Sequence, residues 1–438
     1  MSWKVFKKEI LELSTSQKFF IVCAMICGFC IMGDYGIVRP VSHSVFLSTY
    51  GSHFFPYVWI AIVPFNFLII ELYNRFLPKI GIQRMFYSIL GCIVGINVLA
   101  ALFLSKIPAF PFFFYIWKEI YVMLLFQQLW SLIHSTIRMG QAKFLYGLFF
   151  GFGGIGAICG SKFTDYCAVK IGSLNLLLGS LPLLCLLAFA FYFLLKFSQV
   201  ENKAAGETQI TNFAKGVKAI RNSKYLLFIL AIVVTMQVVT TLVYYQFNTA
   251  LESSIANQDL RTEYCGRIFG YANIASFAIQ LFGAFLLVHF LGLRRSHLTI
   301  PIFLLFNAVG SLFFPSFAMI TAAFVTIKAF DFSLFGVLKE MLYIPLKQEE
   351  KFQAKAIIDV FAYRSSKAVA SCLILALQIV GFSEMLPTLS WITFLLLSGW
   401  VFLVYRMFQL KAPDASEEAS LSLENKEPQL EVENPLEK

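Results

Sequence analysis

The sequence predicts an all-α integral membrane protein of twelve transmembrane helices in two six-helix halves. Three observations predict it. The 438 residues are 58% hydrophobic and only 14% charged, whereas a soluble domain is nearer a quarter charged. Mean hydropathy is +0.74, with 49 Phe. Apolar stretches of about 20 residues, the length one helix needs to cross a bilayer, recur along the chain. They are too continuous for barrel strands.

Residues 1–18 read as a basic amphipathic cytoplasmic segment, without the small-residue cleavage pattern of a signal peptide. The predicted spans are 19–39, 54–77, 84–104, 112–135, 144–166 and 174–197, then 225–248, 267–290, 298–317, 319–345, 355–380 and 386–408. The polar, basic connection 198–224 divides them six and six. The halves are therefore 19–197 and 225–408. Residues 409–438 are acidic, contain Pro and almost no aromatics, and read as a disordered cytoplasmic tail.

Orientation follows from Lys and Arg. With the N-terminus cytoplasmic, 22 basic residues fall on the cytoplasmic side and five outside, so both termini are predicted to be cytoplasmic. The net charge of +10 follows that rule and needs no nucleic-acid partner. The halves echo one another: Gln141-Ala142-Lys143 opens the fifth span and Gln353-Ala354-Lys355 the eleventh. Parallel six-helix repeats are the layout of major-facilitator-like transporters. A Gly-rich run, 151–160, marks close helix packing.

Nine Cys lie mostly in apolar runs, where the residue behaves as a small hydrophobe. Cys167 and Cys265 fall in predicted external loops. The five His show no metal spacing, and no P-loop, dinucleotide fingerprint or H-E-x-x-H is present. No cofactor, metal or enzymatic activity is expected.

Six cations lie within the spans: Arg39, Lys118, Lys328, Lys339, Arg364 and Lys367. Each costs roughly 2.5–3.5 kcal/mol at mid-membrane and so calls for a partner, a cavity or a ligand. Some have nearby acids. Asp34 is five residues from Arg39, Lys328 and Asp331 are three apart, and Asp359 and Arg364 five apart. Neutralised pairs holding helices in register are the plain structural alternative. Lys118-Glu119 and Lys339-Glu340 are adjacent and point in different directions, near span ends where Lys can snorkel. Arg364 and Lys367, like charges three apart beside Ser365, Ser366 and Ser371, suit a phosphate group best. Gln237, Thr240, Thr241, Tyr244, Tyr245, Gln246 and Asn248 favour a wet face on the seventh span.

Residues 339–371 read KEMLYIPLKQEEKFQAKAIIDVFAYRSSKAVAS. Lys339, Glu340, Met341 and Tyr343–Leu346 match a K-E-M-x-Y-I-P-L run. Ala354–Ala356 and Ile358–Val360 match K-A-K-A-A-I-D-V, and Arg364 and Lys367 match R-x-G-K-S-G-G. GDYGIVRP (33–40) and QAKFLYGLFFGFGGIG (141–156) match two further motifs. The chain thus resembles the bacterial and plastidic ATP/ADP translocases, as a divergent member. Ser42-His43 replaces the family's Lys-Asp, and Phe335-Gly336 its F-D. The seventh span (QVVTTLVYYQ) lacks its Glu and Lys.

The resemblance implies a secondary nucleotide transporter working by alternating access, by NTP/NDP exchange or proton-coupled uptake. The substrate is a nucleotide or other phosphorylated anion, the functional unit a monomer, and the location a bacterial inner membrane. Arg39, Arg364, Lys367, Lys118, Lys339, Tyr245 and Gln246 are the expected substrate contacts. Glu119, Glu340 and Asp359 are the expected gating or coupling acids. The alternatives are a transporter of another organic anion or solute, and a non-transporting membrane scaffold.

Overall fold

The computed structural model describes residues 14–137, 139–198, 213–343, 345–346, 354–381 and 385–410. The segment before residue 14, most of the 198–224 connection and the tail beyond 410 lie outside the described residues.

The described secondary structure is helical throughout. Helix α1 (Thr15–Tyr50) opens with a capping box, in which Gln17 N donates to Ser14 Oγ at 3.2 Å and Ser14 N to Gln17 Oε1 at 3.1 Å. It ends at Gly51, whose φ of 78° favours glycine. α2 (Phe55–Phe103) starts with Pro56, whose missing N–H costs nothing there, and folds back at Gly81. α3 (Phe110–Thr136) and α4 (Met139–Ile171) follow, then α5 (Leu176–Gly179) and α6 (Leu181–Phe197). A short helix, α7 (Phe213–Asn222), lies inside the connection read as a plain linker.

The second group begins with α8 (Lys224–Ser254), capped by Ser223, and α9 (Gln258–Ala278), capped by Asn257. α10 (Ala284–Phe313) folds back at Gly292, as α2 does at Gly81. Basic residues flank both turns, Lys79 and Arg84 at the first and Arg294 and Arg295 at the second. α11 (Phe317–Phe330), α12 (Gly336–Leu342), α13 (Tyr363–Val380) and α14 (Met385–Met407) complete the set. Three π-helical stretches interrupt it, at Ile279–Gly283, Asp331–Phe335 and Ala356–Ala362. Such bulges are frequent at functional sites.

Among the described residues, seven helices are long and apolar enough to cross a membrane. One of the seven, Ser52–Phe103, covers two of the predicted spans, 54–77 and 84–104. The exterior is apolar, with Phe306, Phe313, Phe314 and Ile379 all more than 70% exposed. A surface of this kind has lipid as its solvent, so the protein is an integral multi-pass membrane protein.

α1 packs most extensively on α4. Gly156 and Gly160 of α4, a small-xxx-small pair, face the α1 backbone. A Cβ on either would overlap the carbonyl oxygen of Phe29 or Gly33. The Gly-rich run of the sequence is therefore a close-approach surface. α9 joins the two groups by packing on both α1 and α4, and α13 packs on α2. Cys167 and Cys265, expected in loops, lie within α4 and α9 as free thiols.

Candidate functional site

Between the two groups of helices lies a cavity of about 300 Å3. Arg39 and Tyr35 of α1, Trp59 and Asn66 of α2 and Glu119 of α3 line one side. From the other side, Gln237, Thr240, Thr241 and Tyr244 of α8 point in together. Their spacing of three, four and seven residues puts them on one helical face. Lys328, Asp331 and Phe332, at and just before a π stretch, and Tyr363 and Lys367 of α13 complete the wall.

The charges are ordered by contacts the sequence did not suggest. Lys118 Nζ donates to Glu119 Oε1 at 2.8 Å, so these neighbours do pair. Lys118 is fully buried and does not snorkel; its ammonium sits 3.9 Å from the Tyr115 ring centroid. The Tyr35 hydroxyl reaches both Glu119 oxygens at 3.4 Å. Lys328 lies 3.7 Å from Asp331, the local pairing expected, and Gln237 Nε2 donates to the same carboxylate at 3.0 Å. Asp34 accepts from Tyr121 at 2.6 Å, not from Arg39.

Arg39 and Lys367 make no ion pair with a described carboxylate. Their neighbours are rings: Arg39 lies 4.0 Å from the Phe269 centroid and Lys367 5.0 Å from that of Trp59. Both cations line the cavity.

The remaining expected site residues lie elsewhere. Lys339 pairs with Asp359 at 2.9 Å, and Glu340 with Lys355 at 2.5 Å. Asp359 is thus taken by Lys339, where Arg364 was the expected neighbour. None of Lys339, Glu340 and Asp359 is among the residues lining the cavity. Tyr245 accepts from Gln378 at 2.8 Å, and Gln246 donates to Ser390 at 3.3 Å. These two turn away from the cavity, one and two residues past Tyr244 on the same helix. Ser366 and Ser371 donate to the carbonyls of Ala362 and Lys367 on their own helix. The Arg364 side chain lies outside the described residues.

Sequence reasoning missed the part Trp59, Asn66 and Tyr35 play in this wall. Trp59 and Asn66 lie seven residues apart in an otherwise apolar span, a helical spacing that marks one polar-tipped face.

A cavity between two helix groups, lined by charged side chains from both, is the arrangement expected of a major-facilitator-like fold. Solved structures agree on the fold. The nucleoside transporter NupG superposes with a TM-score of 0.55 at 11% identity, over 91% of this chain and all of its own. A bacterial homologue of the human lysosomal transporter Spinster, inward-facing and unoccupied, gives 0.55 at 9% identity, over 90% of this chain and 95% of its own.

Residues 319–410 match the model of the TLC ATP/ADP transporter family. ADP,ATP carrier protein 1 of Chlamydia muridarum is 22% identical over 85% of each chain. The protein of the same name from Chlamydia pneumoniae is 21% identical over 91% of this chain and 93% of its own. The chain is thus similar to the ATP/ADP transporter family over residues 319–410, and to the ADP,ATP carriers at 21–22% identity over most of its length.

Proposed function

We propose that the protein moves a nucleotide or closely similar phosphorylated anion across a bacterial inner membrane. The cavity opens alternately to each side as residues 19–197 and 225–408 rock against one another across twelve spans. The observation that carries this reading is the pair Arg39 and Lys367. These two half-buried cations share a cavity between the helix groups and make no ion pair with a described carboxylate. An Arg fork and a Lys point charge on opposite walls suit a phosphate group. The related ADP,ATP carriers supply the substrate class. Lys118 acts here by holding Glu119, and Glu119 by orienting Tyr35 beside Arg39.

The test is uptake by proteoliposomes holding the full chain, with radiolabelled nucleotides and with or without nucleotide inside. Uptake above empty vesicles, lost in Lys367→Ala while insertion is unchanged, is the expected result. Acceleration by internal nucleotide marks exchange; acceleration by an inward proton gradient marks symport. Absence of uptake of every nucleotide by correctly inserted protein sinks the reading.

A further inference from the structure

A second cavity, of about 420 Å3, adjoins the first. Tyr35, Arg39 and Phe332 line both, so the Arg39 guanidinium stands at their boundary. The character of the two differs. The first is set by charges. The second is walled by Phe126 and Trp130 of α3, Phe149 and Phe150 of α4 and Phe269 of α9. Each volume falls within the range of about 300–1,000 Å3 usual for small-molecule sites.

Besides Tyr35 and Arg39 of α1 and Ser161 of α4, the aromatic cavity holds three polar groups on and just after α9. Asn273 and Ser276 project from α9, and Gln280 from the π stretch that follows it. Asn273 donates weakly to Ser161 Oγ at 3.3 Å and to the Ala157 carbonyl at 3.4 Å, which leaves its own carbonyl as an acceptor. Gln280 is exposed, is among the residues lining the cavity and has no hydrogen-bond partner among the described residues. An amide of this kind offers a donor and an acceptor side by side. Aromatic walls with such an edge suit a flat, hydrogen-bonding heterocycle.

We propose that the two cavities are one bipartite site. The phosphate of a nucleotide is held between Arg39 and Lys367, and its base inserts beside Trp130 and Phe150. Gln280, with Asn273 and Ser276, reads the edge of the base. Gln280 thus determines which base is preferred, while Lys367 serves every base alike. This assignment rests on the nucleotide reading above and adds to it the residues that choose among nucleotides.

The experiment measures uptake of labelled ATP, GTP, CTP and UTP by proteoliposomes of the full chain. It compares wild type, Gln280→Leu, Ser276→Ala and Lys367→Gln, each checked for monodispersity and thermal unfolding in detergent. Gln280→Leu is expected to change the preference between bases by about tenfold or more, since polar edge recognition dominates such discrimination. Lys367→Gln is expected to lower uptake of all four by a common factor. An unchanged order of preference in both Gln280→Leu and Ser276→Ala, with wild-type uptake intact, overturns the bipartite site and leaves nucleotide transport standing. Equal inhibition by lysophospholipid in wild type and both variants, with no preference among bases, assigns the aromatic cavity to an acyl chain and likewise overturns it. If wild type takes up no nucleotide at all, the transport reading itself fails and takes this assignment with it.

Discussion

Lys118 and Glu119 are consecutive residues, yet the ammonium of the first lies 2.8 Å from the carboxylate of the second. Lys118 is fully buried beneath the Tyr115 ring, and Tyr35 reaches across from α1 to the same carboxylate. Removing the carboxylate strands the fully buried Lys118 ammonium; in a fully buried pair that costs about 3–5 kcal/mol, and the partial exposure of Glu119 lowers it. Glu119→Gln is therefore expected to lower the thermal unfolding midpoint in detergent markedly. The double variant Lys118→Met/Glu119→Gln is expected to recover most of that loss. A double variant as unstable as the sum of its singles would show the pair to be uncoupled.

Arg39 tests the chemistry of the site more finely than a truncation. Its guanidinium lies over the Phe269 ring and lines both cavities. Arg39→Lys keeps the charge but loses the fork and much of the stacking. Uptake is expected to fall about tenfold or more, chiefly through a raised KM, at unchanged expression and insertion. Near-normal uptake by Arg39→Lys would reduce Arg39 to a general source of positive potential.

The helical membrane fold was legible because hydropathy acts residue by residue along the chain. The polar face of α8 was half legible: Gln237, Thr240, Thr241 and Tyr244 face the cavity, while Tyr245 and Gln246 bond to Gln378 and Ser390. A cluster in sequence gives composition, and only helical phase says which members share a face. The charged pairs were least legible. Lys339 meets Asp359 and Glu340 meets Lys355 across a stretch broken by a turn and a π helix, which sequence spacing cannot rank. The π stretches themselves carry no sequence signal, though two of them place Gln280 and Asp331 at the cavities.

The α1–α4 contact makes a prediction with its own control. Gly160 faces the backbone of α1 so closely that any Cβ must displace it, whereas a Cβ on Gly147 would meet nothing within 4 Å. Overpacking costs about 1–3 kcal/mol where side chains can shift, and here a backbone must move. Gly160→Val is expected to reduce folded protein sharply, by size-exclusion profile and unfolding midpoint. Gly147→Ala is expected to match wild type in both. Equal tolerance of the two would mean that α1 and α4 are not held at this separation.

Arg267 of α9 and Asp165 of α4 tie the two helix groups together at the end where α1 finishes, with Nε donating to Oδ1 at 3.0 Å. Around them Ser44 bonds to Thr262, Ser173 Oγ donates to Thr262 at 2.8 Å, and Arg261 donates to Ser48 at 3.1 Å. The bridge is partly exposed, which limits it to about 0–1 kcal/mol, or up to about fivefold in a two-state equilibrium. Under the proposed cycle this end must part for the cavity to open there. Asp165→Ala is expected to raise the rate at which a maleimide labels Cys265, a fully buried thiol on α9, in a variant whose other eight cysteines are replaced. Glu263→Ala removes a pair within α9 and keeps the bridge, so labelling should stay near the parent rate. A faster rate in Glu263→Ala than in Asp165→Ala would place the barrier to opening within α9 and not between the two groups of helices.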